Sequence, residues 1–319
     1  MAEALQKPIA SPAPAAPATA AIAAANASNR PQLTDNQFQK FATIIYDLSG
    51  MRFEANKSYF MASKLDNRAQ ALGLKGFDDY LKHLESPSGR TEYGFLVDEI
   101  TINETFFFRH EPQLQYFREK ILTPLLAARR AQRAPKFRIW SAASSTGDEL
   151  YTLALMLKDM GQFGKDLQFE LIGTDICHDA VEKARAGVYR KYNVRNIPPA
   201  LLQQFFTHGT EATTNSETWT IKPEIKSLCS FREDNMLDSN RTTLLGKFDI
   251  IFCRNVLIYF DEKSKEKAIT NLANNLHDDG FILLGHSENV YSQRHIIRPD
   301  KTHSAAIAYT KAPPGTPKY

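Results

Sequence analysis

The chain has 319 residues, 43% apolar and 24% charged, with a net charge of +3, which supports a core in one large or two modest domains and excludes a nucleic-acid binder that works by bulk charge. Three widely spaced cysteines, Cys177, Cys229 and Cys253, form no CxxC pair, so neither a disulfide framework nor a metal cluster is expected, and a cytoplasmic location fits best. No apolar run nears about 18 residues and the N-terminus lacks a leader pattern, so no membrane insertion is expected.

Residues 1–31 are rich in Ala and Pro, as in SPAPAAPATAAIAAANAS, and are expected to be a disordered tail. Order is expected from Thr34, where TDNQ is a capping box with Gln37 reaching back to the cap. Phe38, Phe41, Ile45 and Leu48 follow helical spacing to Gly50. Further helices are expected near 56–72, 77–84 and 91–100, so 32–101 reads as an all-α domain. Residues 102–135 form an interdomain segment and helix. From Lys136 the pattern alternates. Strands at KFRIWSAA, LQFELIGTDI, FDIIFCRNV, GFILLGHSE and SAAIAYTK are interleaved with helices near 148–160, 178–186 and 262–276. Apolar strands alternating with helices predict an α/β domain over 136–312, a largely parallel Rossmann-like sheet covered on both faces. TWTIKP and SLCSFRED break the alternation and predict a small antiparallel β insertion over about 192–232.

Ligands of such sheets bind beyond the carboxyl ends of the strands. There the sequence places Ser141–Glu149, Asp175 in GTDI, Arg254, Asn255 and Tyr259 in FCRNVLIYF, and GHSE at 285–288. Asp175 suits the two hydroxyls of a ribose, or alternatively the cap of the next helix. The pocket-like turn after the first strand favours the ribose. No GxGxxG is present. Asp148 and Glu149 stand where a phosphate would dock on a helix N-terminus, and their charge would repel it. Together with Asp175 they favour a phosphate-free, cationic nucleoside, which fits S-adenosylmethionine. Between the domains, TINETFFFRH sets Asn103, Glu104, Thr105 and Arg109 beside three phenylalanines, and an arginine there needs an anionic partner or ligand.

TINETFFFR, WSAASSTGDELY, GTDI, FCRNVLIYFD and GHSE together resemble the motif blocks of the chemoreceptor glutamate methyltransferases, the CheR family, in order, over about 32–310. The resemblance implies a helical domain, a Rossmann-like methyltransferase domain and an inserted β subdomain. It implies S-adenosylmethionine as cofactor, S-adenosylhomocysteine as product, and chemoreceptor glutamates as acceptors. Carried onto this chain, Asn103, Thr105 and Arg109 would reach the cofactor from the interdomain segment. Glu149 would hold its methionine part and Asp175 its ribose, with Asn235, Met236, Asn255 and Val256 completing the pocket. Arg109 and Tyr259 would lie nearest the transferred methyl. The chain departs from the family pattern at Asp148–Leu150, where Glu-Glu-Pro is usual, and at His110, where an acidic residue is frequent.

The expected partner is the cytoplasmic helix bundle of methyl-accepting chemoreceptors. Lys57, Lys64 and Arg68 fall near one face of the second helix and form a candidate dock for that acidic surface, with Arg52 and Lys75 extending it. No nucleic-acid partner is expected, and a monomer is. The β insertion is a second candidate tether, because in some family members it captures a receptor C-terminal peptide by strand addition. The competing readings are a nucleotide-dependent oxidoreductase or a small-molecule methyltransferase on the same fold class, or a non-catalytic module that binds S-adenosylmethionine or a receptor.

Overall fold

The computed structural model describes residues 31–164, 166–303 and 307–318. The tail expected over 1–31 lies outside these, Pro31 apart. Helix α1 (Asp35–Ser49) starts at the expected capping box. The Thr34 hydroxyl accepts from the Gln37 amide at 3.3 Å, and the Gln37 side chain accepts from the Thr34 amide at 3.0 Å. It ends at Gly50, whose φ of +74° suits a residue without Cβ. α2 (Ser58–Ala71), α3 (Phe77–Glu85) and α4 (Glu92–Ile100) complete the helical region.

Phe38, Phe41 and Ile45 pack with Met61, Leu65, Tyr80 and Leu84, as the spacing requires. That core runs on without a break into Trp140, Ile172, Phe248 and Leu272 of the sheet domain. The two sequence domains therefore share one apolar interior. α5 (Glu111–Tyr116), a π-helical turn (Phe117–Leu122) and α6 (Thr123–Ala131) lead into the sheet.

The second domain runs β1 (Lys136–Ala142), α7 (Asp148–Asp159), β2 (Gln168–Asp175) and α8 (His178–Ala186). The insertion follows: β3 (Val188–Arg190), α9 (Lys191–Val194), α10 (Pro199–Phe205), β4 (Phe206–Thr210) and β5 (Glu217–Ile221). The chain then returns through β6 (Cys229–Glu233), β7 (Phe248–Cys253), α11 (Glu262–Asn274), β8 (Leu276–Leu284), β9 (Ile297–Pro299) and β10 (Ala308–Lys311).

The large sheet has the order β6-β2-β1-β7-β8-β10-β9, parallel from β6 to β8 and antiparallel at the last two strands. The winding reverses between β1 and β7, which opens a crevice at their carboxyl ends. β1 lies in register with β2 up to Ala142↔Thr174, so both strands deliver their loops to the same edge.

The insertion is a three-stranded antiparallel sheet, β3-β5-β4. Its bounds correct the expected 192–232 at both ends. It begins at Val188, and SLCSFRED does not belong to it. Cys229–Glu233 is the parallel edge strand β6, paired with β2. As an edge strand β6 buries one face only. Phe231 packs against Tyr151 while Ser230 and Arg232 are exposed, and that alternation reads like a strand of a solvated hairpin. Among the described residues no helix is long and apolar enough to cross a membrane.

Candidate active site

At the carboxyl edge of the sheet lies a cleft of about 1040 Å³, its open mouth included, roofed by the interdomain segment and the end of α1. Asn103, Thr105, Arg109, Glu149, Asp175, Asn235, Met236, Asn255, Val256 and Tyr259 all line it. Residues from five separate stretches of sequence thus meet in one cavity. Lys64 and Arg68 lie on α2 and Lys57 caps its start, all outside this lining.

The floor is the turn after β1. Ala143 and Ser145 have φ of 59° and 48°, and Gly147 has 86°. A Cβ on Gly147 would meet Ala184 and Phe231 at 2.9 Å, so only glycine lets α7 start this close to α8 and β6. The turn is pinned by Asp175, which is 6% exposed. Its two carboxylate oxygens accept from the Ser145 amide at 2.7 Å and the Cys177 amide at 2.9 Å. Cys177, not Asp175, is the cap residue of α8. Each Asp175 oxygen keeps a second lone pair, so the carboxylate can shape the turn and still accept two hydroxyls. Burial raises its pKa, against the amide bonds that lower it.

Glu149 sits in the first turn of α7 and reaches into the cleft. It accepts from the Ser141 hydroxyl at 2.8 Å and pairs with Arg254 at 3.2 Å. Burial is the dominant influence on it too and raises its pKa. Asp148 does not join it at the mouth, as the sequence suggested. Asp148 is wholly buried behind the helix start, where it accepts from Thr146 at 2.6 Å and Asn193 at 3.0 Å. Consecutive helical residues point about 100° apart, so only one of two adjacent acids faces the ligand.

Arg254 is the main residue the sequence reading left without a role. Its guanidinium holds Glu149 and also donates to the Arg109 carbonyl at 2.8 Å, and its Nε is buried with no partner among the described residues. The signal was its place just before Asn255 at a strand end. Glu288, in GHSE, is the other. It is 7% exposed and accepts from the amides of Val256, Leu257 and Gly285, fixing the loop in which Asn255 takes a φ of 63°. Two of its three donors lie more than 30 positions away in sequence, so no local pattern announces those contacts.

The remaining residues arrive from the roof. Asn103 donates to the Cys177 sulfur at 3.3 Å and accepts from the Ser145 hydroxyl at 3.3 Å. Arg109 donates to the Glu104 carbonyl at 2.8 Å and lies over the Phe106 ring at 5.6 Å. It forms no ion pair with a carboxylate among the described residues, neither Glu104 nor Glu111. Asn235 bridges the domains, donating to the Leu48 carbonyl at 3.0 Å and accepting from the Leu237 amide at 2.9 Å. The Met236 carbonyl is held by Asn271 at 2.8 Å. Tyr259 is half-buried, and its carbonyl accepts from the Arg52 amide at 2.9 Å. Burial raises the Tyr259 pKa and Arg109 acts against it.

The fit to a cationic nucleoside rests on the Asp175 lone pairs and on the Glu149 carboxylate in the lining, while the buried Ser144 hydroxyl and Arg254 Nε have no partner among the described residues. The turn offers no tract of glycine amides for phosphates. A doubly wound sheet with this cleft at its reversal point and acid in place of a phosphate loop defines the class, an S-adenosylmethionine-dependent methyltransferase. Residues 103–305 match the family described as "CheR methyltransferase, SAM binding domain", and residues 36–101 match "CheR methyltransferase, all-alpha domain". The chain therefore belongs to the CheR methyltransferase family, and S-adenosylmethionine is its cofactor.

It is similar to the chemotaxis protein methyltransferase of Escherichia coli (strain K12), with 33% identity over 262 residues, 82% of this chain and 87% of that one. Chemotaxis protein methyltransferase 2 of Pseudomonas aeruginosa is 33% identical over 266 residues, 83% of this chain and 90% of the relative. The corresponding protein of Borreliella burgdorferi is 29% identical over 265 residues, 83% and 92% of the two chains.

Proposed function

We propose that this enzyme methylates glutamate side chains on the cytoplasmic helix bundle of chemoreceptors, giving glutamyl methyl esters and S-adenosylhomocysteine. The observation that carries this reading is Arg109. It is a guanidinium at the cleft whose partner is a carbonyl oxygen and not a carboxylate, beside Tyr259. Such a group recognises an incoming carboxylate.

The bound cofactor supplies an electrophilic methyl on a sulfonium. The acceptor glutamate is already ionised near neutral pH and needs no general base. The protein's work is alignment and exclusion of water. Asp175 holds the ribose and Glu149 the ammonium end, with Asn103, Thr105, Asn235, Met236, Asn255 and Val256 around them. Arg109 orients the acceptor carboxylate, and the Glu104 carbonyl, by sharing its donors, keeps it from quenching the nucleophile. The Tyr259 hydroxyl, protonated at neutral pH as tyrosine ordinarily is, donates to the same carboxylate.

At the start of α2 Lys57 is exposed, and on α2 the partly exposed Lys64 pairs with Glu99 at 3.2 Å. These two are the cations we assign to receptor docking. In the insertion, β4 is a sheet edge with Thr207–Thr210 exposed, which suits strand addition by a receptor peptide.

The test is transfer of labelled methyl from S-adenosylmethionine to a receptor cytoplasmic fragment as base-labile ester. Arg109→Ala should lower kcat by about two orders of magnitude while the protein stays folded. Full turnover by that variant would remove this role for Arg109. Absence of base-labile label with the wild-type enzyme would remove the assigned acceptor.

A further inference from the structure

Residues 103–110 carry the groups assigned to cofactor and acceptor, yet they form neither helix nor strand. Two of them, Phe108 and His110, have φ of 54° and 62°. A segment without its own backbone ladder takes its shape from what it touches. Besides Ser145, Cys177, Arg254 and the Thr152 hydroxyl, which accepts from the Phe108 amide at 3.1 Å, it touches the insertion. Phe107 is fully buried edge-on to Tyr189 and Phe206, at 4.8 and 5.4 Å. The Tyr192 hydroxyl donates to Glu104 at 2.9 Å, and the Arg195 guanidinium lies over the rings of Phe106 and Tyr192 at 3.6 and 3.8 Å.

Asn193 is the centre of this contact. Its carbonyl accepts from the Phe107 amide at 3.0 Å. Its side-chain amide donates to the Thr105 carbonyl at 3.3 Å and to the Asp148 carboxylate at 3.0 Å. One NH2 group thus ties the roof of the cleft to the helix start that carries Glu149. Two acceptors on one small side chain require two donors, which asparagine has and aspartate or serine lacks. Asp148 is wholly buried and makes no ion pair among the described residues, so it depends on Asn193 and Thr146 for its hydrogen bonds.

We infer that Asn193 is a positioning residue for methyl transfer. It acts through the Thr105 carbonyl and Asp148 to hold Thr105–Arg109 at a fixed distance from Glu149. The insertion is then part of the active-site framework, whatever else it binds. This rests on the assignment of Thr105 and Arg109 above.

The test uses the full chain in two variants, with the cofactor Kd by calorimetry, kcat and KM on a receptor fragment, and Tm. Asn193→Ala should raise the S-adenosylmethionine Kd and lower kcat, each by about tenfold. The double variant Asp148→Asn with Asn193→Asp restores the link between positions 148 and 193 with donor and acceptor exchanged. It does not restore the donor to the Thr105 carbonyl. It should recover Tm while kcat/KM stays about tenfold down. A double variant that recovers both Tm and kcat/KM would show Asn193 to be structural only and overturn the inference. So would wild-type kcat and Kd in Asn193→Ala. Should Asn193→Ala fail to fold, the double variant decides alone. If Arg109→Ala is fully active, the underlying assignment fails; if Arg109→Ala is crippled and the Asn193 variants are not, this inference alone fails.

Discussion

Asp175 is buried and Glu149 largely so, and among the described residues Glu149 pairs with Arg254 while Asp175 pairs with no cation. Burial raises both pKa values above those of the unfolded chain. In the free protein their contribution to stability is therefore full below the unfolded carboxylate pKa and is lost as pH rises through the folded values. A ligand that donates hydroxyls to Asp175 and sets a cation beside Glu149 favours the ionised forms and opposes that loss. Binding of S-adenosylmethionine should release protons, and the rise in Tm that it gives should grow as pH rises through the range just above the ordinary carboxylate values. Melting curves across that range, and calorimetry in two buffers of different ionisation enthalpy, measure this. A Tm increment that does not change with pH, without proton release, would contradict it. Both carboxylates were legible in the sequence because they stand where an apolar strand stops. The division of labour between Asp148 and Glu149 was not, because it depends on which way each helical position faces.

Among the elements, α2 was read most incompletely. Its basic residues share a face, but spacing along a helix says nothing about the neighbour across it. Arg68 makes a two-pronged contact with Glu92 at 2.8 and 2.9 Å, and Glu92 is 3% exposed and also bound by the Tyr80 hydroxyl. That guanidinium is a structural partner inside the helical domain, which takes Arg68 out of the free docking surface. Arg68→Ala leaves a buried carboxylate without its cation and should destabilise the protein by about 3 kcal/mol. Urea denaturation measures this, and a change under about 0.5 kcal/mol would show that Glu92 finds another partner. Lys57→Glu, by contrast, should leave the urea midpoint unchanged and raise the KM for the receptor fragment at low salt. The insertion shows the same limit. Its strands were visible, but an edge strand such as β6 alternates like a hairpin strand, and only its pairing with β2 shows which sheet it joins.

At the scale of the molecule, the helical region closes the cleft and does not stand apart from it. The end of α1 supplies Ser49 and the turn after it Met51 to the lining, Leu48 holds Asn235, and Tyr46 donates to Asp261 at 3.1 Å. Gly50 makes this approach possible. A Cβ there would lie 2.2 Å from Leu237, at a φ that favours glycine. Gly50→Ala combines a backbone penalty of about 1 kcal/mol with overpacking of about 1–3 kcal/mol. It should lower stability by that sum and weaken S-adenosylmethionine binding, as urea denaturation and calorimetry would show. Wild-type affinity in a destabilised Gly50→Ala protein would mean that the cleft is formed by the sheet domain alone.

The sequence by itself determined the helical region, the alternating sheet domain, the strand-end loops and the residues that line the cleft. The elements and strand-end loops follow from local periodicity, capping and turn chemistry, which act over a few residues, while Asn235, Met236 and Val256 enter only through the resemblance to the CheR motif blocks. Only the tertiary structure decided that both regions share one core, that Arg68 is committed to Glu92, that Glu288 fixes the loop after β7, and that Asn193 braces the roof. Those contacts join positions 24 to 45 residues apart or lie between separate elements. Their partners are chosen by three-dimensional proximity and by the cost of leaving a buried polar group unpaired, and neither leaves a periodic trace in the chain.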